Sequence, residues 1–156
     1  MSGRLKNEIK QNKPFRSLEV EAFLNVQRTA DALMRGVTET LKAHDLSPTQ
    51  YNALRILRGA GAAGLACSEL SERMVNKDPD ITRLLDRLEQ RGLVARGRDP
   101  DDRRVVLAKI TARATPLLAG LDGPIDAVHK KQLGALGKKN LSRLVALLEA
   151  ARAQAG

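Results

Sequence analysis

The sequence predicts a mainly α-helical chain carrying one small β-hairpin. Three observations predict it: apolar residues recur at spacings of three and four along most of the chain, Ser-Pro and Asp-Pro pairs mark helix starts, and only the stretch beyond Gly92 changes to short β-branched runs around a charged turn.

Residues 1–16 carry Arg4, Lys6, Lys10, Lys13 and Arg16 against Glu8, a net +4. Like charges repel, so this reads as a solvated, poorly ordered basic arm, with a phosphate-contacting or dimer-wrapping role as the alternative. From Leu18 to Leu41, Phe23, Val26, Ala30, Leu33, Val37 and Leu41 form one stripe of a long amphipathic helix, so 17–45 is an N-terminal helical segment. Ser47-Pro48-Thr49-Gln50 has the chemistry of a capping box, and Tyr51, Leu54 and Leu57 supply the buried stripe of the next helix. Gly59, Gly61 and Gly64 break the chain, after which Ser68 can cap a short helix running through Leu70 to Met74.

Asp78 as cap and Pro79 at the first position predict a further helix to about Arg91. Ile81, Leu84, Leu85 and Leu88 gather on one face, with Arg83, Asp86, Arg87 and Gln90 opposite; Gly92 is the expected stop. Residues 93–98 and 104–110 then flank Asp99-Pro100-Asp101-Asp102-Arg103, a β-hairpin with a charged tip. Thr111 can cap another helix built on Leu117, Leu118 and Leu121, with a break or kink expected at Gly120, Gly123 and Pro124. Leu141, Leu144, Val145 and Leu148 give a last helix, so 111–156 is a C-terminal helical segment.

At 156 residues the chain can build one domain, or two small lobes sharing a core, which excludes a multidomain enzyme. One Tyr, two Phe and no Trp require a core of Leu, Ile, Val and Ala. They also argue against a single-strand binder, which stacks bases on aromatic platforms. The net charge of +9 points to a polyanionic partner. It is divided unevenly: +4 in 1–16, −1 in 17–75, +2 in 76–110 and +4 in 111–156. The lone Cys67 cannot form an internal disulfide, no apolar run is long enough for a membrane span, and no signal-peptide core opens the chain, so a cytoplasmic location is expected.

Two short helices joined by a tight turn and followed at once by a charged hairpin make a winged helix-turn-helix over 46–110. A helix fits the major groove of B-DNA while a thin hairpin reaches the neighbouring minor groove. Leu46-Ser47-Pro48-Thr49-Gln50-Tyr51, Asp80 through Glu89, Arg91-Gly92-Leu93-Val94 and Asp99-Pro100-Asp101-Asp102-Arg103-Arg104 resemble, in order and spacing, the MarR (multiple antibiotic resistance regulator) family of transcription factors.

The resemblance implies a homodimer joined by its N- and C-terminal dimerisation helices, each lobe reading half of a palindromic promoter site on double-stranded DNA, and a repressor relieved by a small aromatic or phenolic effector. It places Arg83 on the recognition helix and Arg104 on the wing against DNA, with Asp102 orienting the wing arginine. Guanidinium chemistry agrees, since it suits bidentate guanine contacts and a narrow, electronegative minor groove. Arg87, Gln90 and Arg103 join this DNA-binding set, Thr82 can touch a phosphate or a thymine methyl, and Ser68 can offer a phosphate its hydroxyl. Leu41, His44 and Tyr51 are the candidates for an effector pocket.

Other readings stay open. Arg83 and Arg87 could instead pair with Asp86 and Glu89 on a solvated face, Cys67 could sense oxidants, and the winged helix could bind protein in place of DNA. His44 and His129 have no ligand spacing beside them, so neither metal nor cofactor is expected. The phosphate loops, metal-binding His pairs and nucleophile elbows of enzymes are missing, so an enzyme is not expected.

Overall fold

The computed structural model describes residues 3–76 and 80–156, so the expected cap Asp78 and first-turn Pro79 lie outside the described residues. The chain divides into two compact units, 1–36 and 37–156.

The first unit contains a single helical turn, α1 (Leu5–Glu8), and most of the long helix α2 (Leu18–Lys42). The basic segment is therefore not the featureless arm its charge suggested: Leu5 is buried, and Glu8 pairs with Arg28 of α2 at 3.1 Å. Burial of one leucine and an opposite charge outweigh the repulsion among five dispersed cations. Ser17 accepts the Val20 N–H and so caps α2. Leu18, Phe23, Val26 and Met34 of this helix stand exposed, Phe23 at 61%.

The second unit is built around α3 (Pro48–Ala60), α4 (Cys67–Arg73), α5 (Ile81–Gln90) and α6 (Ala114–Leu133), with α7 (Gly137–Ala155) closing the chain. The capping box of α3 forms as read: Ser47 Oγ accepts the Gln50 N–H at 3.1 Å, and Gln50 Oε1 accepts the Ser47 N–H at 3.0 Å. Its core is almost wholly aliphatic, with Leu41, Leu54, Leu57, Leu70, Leu85, Leu88, Leu118 and Leu121 all fully buried. Each such side chain contributes about 1.5–3 kcal/mol through removal from water.

Three local expectations are corrected. A short strand β1 (Leu65–Ala66) follows the glycines, and α4 begins at Cys67 with Ala66 in the cap position, so Ser68 lies inside the first turn. Pairing of β1 with β3 (Val106–Ile110) fixes the chain two residues earlier than a Ser68 cap would allow. Thr111 does not cap α6; its hydroxyl donates to the Gly92 carbonyl at 2.6 Å and ties the end of α5 to the start of α6. Nor does α6 break at Pro124. A proline removes one helix bond and crowds the carbonyl four residues back. Here that carbonyl belongs to Gly120, and Gly120, Gly123 and Pro124 all face solvent, where water can serve the freed acceptor. Leu118, Leu121 and Ile125 hold the opposite face in the core. Arg58 of α3 adds two bonds to Asp122, at 2.9 and 3.0 Å.

The predicted hairpin forms from β2 (Val94–Arg98) and β3, and with β1 it makes a three-stranded antiparallel sheet in the order β1-β3-β2. Its register sets Arg96 opposite Ala108 and Ala95 opposite Lys109. Among the described residues no helix is long and apolar enough to cross a membrane.

Candidate nucleic-acid interface

Helix α5 is the element around which the site is built. Asp80 is its N-cap, its carboxylate accepting the Arg83 N–H at 3.1 Å, in place of the expected Asp78. At the other end Gly92 N–H donates to Glu89 and Leu93 N–H to Leu88, a Schellman closure that turns the chain directly into the wing. Leu84, Leu85 and Leu88 bury one face. Thr82, Arg83, Arg87 and Gln90 are consequently exposed together on the other.

The charges on this face are not paired as a solvated helix would pair them. Asp86 and Glu89 are both engaged by Arg96 of β2, with Nε 3.0 Å from Glu89 and Nη2 bonded to Asp86. Those two hydrogen bonds, Glu89's first, hold the Arg96 guanidinium firmly in its charged form. Among the described residues Arg87 is left without an ion-pair partner, and Arg83, 73% exposed, has only Asp80 at 4.0 Å. Among the described residues, two exposed arginines on this helix thus carry at most one long ion pair between them.

The wing carries a third. Asp102 accepts Nε and Nη2 of Arg104, each at 3.1 Å, and the Arg104 backbone N–H also at 3.1 Å. These bonds hold the Asp102 carboxyl below the usual carboxylate range. The Arg104 side chain is nonetheless 91% exposed, so it is oriented without being covered. At the tip, Asp99 accepts the Asp101 N–H, and Arg98 donates to the Arg103 carbonyl. Arg103 is itself exposed.

The other sequence candidates are placed differently. Ser68 is exposed on α4. Leu41 is fully buried, Tyr51 is buried, and only His44 of the three pocket candidates is exposed. A groove of about 620 Å³ does lie nearby, between the end of α2, the start of α3 and the end of α5, but its walls include Lys42, Leu46, Gln50, Arg87 and Arg91 and none of the three candidates. Cys67 is half-buried, and burial pushes its thiol up, the opposite of what a reactive thiolate needs.

Sequence reasoning missed Arg96 and Arg91. Arg91 donates to the His44 and Asp45 carbonyls, fastening α5 to the turn that follows α2. A signal for Arg96 was present: strand alternation puts it on the same side as the core residue Val94, while Asp86 and Glu89 sit three apart on the preceding helix.

A sequence model of the MarR family matches residues 46–106, the stretch that holds this whole array. A MarR transcription factor from Planctomyces limnophilus, of known crystal structure, is 41% identical over 88% of this chain and 99% of its own, with a TM-score of 0.66. The chain belongs to the MarR family. It is a MarR-family transcriptional regulator, and the family is one of transcription factors, not enzymes. The HTH-type transcriptional regulator YkoM of Bacillus subtilis strain 168 is 28% identical over 88% of this chain and 90% of its own. A mutant of MarR from E. coli, crystallised in complex with operator DNA, shares the fold with a TM-score of 0.75 at 24% identity, over 96% of this chain and 99% of its own.

Proposed function

We propose that this MarR-family regulator acts as a homodimeric repressor in the cytoplasm, covering a palindromic promoter site. The observation that carries the reading is the outward array of Arg83, Arg87 and Arg104, with Asp86 and Glu89 beside it tied to Arg96, and with Asp102 orienting Arg104. In this reading α5 enters the major groove, where Arg83 makes a bidentate guanine contact and Thr82, Arg87 and Gln90 supply further base or phosphate contacts. Arg104 enters the flanking minor groove in the orientation Asp102 sets, and Arg103 and Ser68 meet phosphates.

Dimerisation accounts for the exposed apolar residues. Phe23 and Val26 on α2 and Val145 and Leu147 on α7 are uncovered in the single chain, and a second copy is the partner that buries them. Two copies double the charge of +9, giving long-range attraction to DNA, and set two recognition helices about 10 bp apart. An effector acts if it binds one lobe spacing better than the other; a small aromatic or phenolic ligand is the proposed class.

The test is fluorescence anisotropy with a duplex from the protein's own promoter region and a scrambled control, over a range of salt, with sedimentation for the dimer. Tight, salt-dependent preference for the promoter duplex is expected. A folded dimer that binds neither duplex at low salt refutes the reading in favour of a protein-binding winged helix.

A further inference from the structure

The acids on α5 pose a problem for any duplex-reading surface, because Asp86 lies one helical turn from Arg83 and next to Arg87, and Glu89 lies next to Gln90. Carboxylates there repel phosphates. The wing supplies the answer. Arg96 is opposite Ala108, which is fully buried, so its side chain leaves β2 on the inner face of the sheet, toward α5. Its side chain is only 24% exposed and its guanidinium spans both carboxylates, whereas its neighbour Ala95 is on the outer face with Lys109.

We infer that Arg96 is a positioning residue of the DNA-reading surface, withdrawing both α5 carboxylates from the field of the duplex and locking the recognition helix to the wing. The inference rests on the reading of α5 and the wing as a duplex-binding surface. The two effects are separable. Charge withdrawal is electrostatic, so it weakens as salt screens it. The lock is geometric: a planar fork holding two acceptors on one helix fixes strand β2 against it, and with β2 the distance between Arg83 and the wing tip. A lysine would supply the charge without the fork.

The experiment compares the native chain with Arg96→Gln, Arg96→Lys and the triple variant Arg96→Gln, Asp86→Asn, Glu89→Gln on the promoter duplex. Affinity is followed over a range of salt, and minor-groove protection by hydroxyl-radical footprinting. For Arg96→Gln a loss of about tenfold or more at low salt is expected, shrinking as salt rises. The triple variant should regain the salt-sensitive part of the affinity yet lose protection where the wing enters the minor groove. Arg96→Lys should bind more tightly than Arg96→Gln, short of native strength and with weakened wing protection, and it decides the matter if Arg96→Gln does not fold. A folded Arg96→Gln with native affinity and footprint overturns the inference. So does a deficit that salt and the triple variant leave untouched, since plain structural damage behaves that way. A folded native chain that binds no duplex overturns the DNA reading first and this inference with it.

Discussion

Gly64 should tolerate a methyl group far less well than Gly61, three residues away, and the structure says by how much. Both have φ of +70°, with ψ of −155° at Gly61 and −169° at Gly64, a region reserved for glycine. Any side chain there costs about 1–3 kcal/mol in backbone strain. At Gly61 an added Cβ meets nothing within 4 Å, so strain is the whole cost. At Gly64 the same atom falls 2.5 Å from the Ala108 carbonyl oxygen and 2.6 Å from Lys109 Cγ. The lysine can swing away, but the carbonyl belongs to the middle strand of the sheet. Forcing it back adds about 1–3 kcal/mol, as in an overpacked core. Gly61→Ala should therefore cost about 1–3 kcal/mol and Gly64→Ala about 2–6 kcal/mol. Urea unfolding at matched protein concentration measures both, since the stability of any oligomer depends on concentration. Because Gly64 leads into β1, which pairs with β3, its variant should also weaken promoter binding through the displaced wing. Equal costs for the two variants, to within about 0.5 kcal/mol, would refute the close-approach argument.

Four further outcomes are expected. Arg83→Ala should cost about 1–3 kcal/mol in promoter affinity and relax base preference, while Arg104→Ala should weaken binding and remove preference at the flanks; anisotropy with base-substituted duplexes distinguishes them. Leu88→Ala, on the buried face of α5, should lower unfolding stability by about 2–5 kcal/mol, read from denaturation midpoints. The Arg58 partnership holds Asp122 below the ordinary carboxylate value, so its contribution to stability is complete above about pH 4 and disappears as pH falls through the folded value. The stability gap between the native chain and Asp122→Asn should accordingly narrow on acidification; a gap that widens contradicts the pairing. Cys67 in the native protein should react with iodoacetamide more slowly at neutral pH than in the unfolded chain, and a faster native rate would revive the redox-sensing alternative.

Much of the reading surface was legible because its signals are local. Ser47 and Gln50 announce a capping box from four consecutive residues, and the box forms as read. The spacing of Leu84, Leu85 and Leu88 decides which side of α5 is buried and hence that Thr82, Arg83, Arg87 and Gln90 face outward. The failures came where a distant partner outbid a local preference. Thr111 has the chemistry of a cap, yet its hydroxyl is taken by Gly92. Pro124 should interrupt a helix, but a buried face and the Arg58–Asp122 pair hold α6 together across it. Leu65 and Ala66 are too few to register as a strand until β3 lies beside them.

The sequence by itself determined the order of helices and hairpin, the outward set of arginines and the resemblance that relatives of known structure bear out. Each follows from periodicity or turn chemistry that operates within a few residues. Only the tertiary structure decided how the charges are shared. Asp86 and Glu89 were as free to pair with Arg83 and Arg87 as with anything else, and +2 over residues 76–110 promised only a weakly basic surface. Folding the wing back onto α5 gave both acids to Arg96 and one acid of the turn to Arg104. That assignment requires contacts across a sheet and a helix, which linear spacing does not encode.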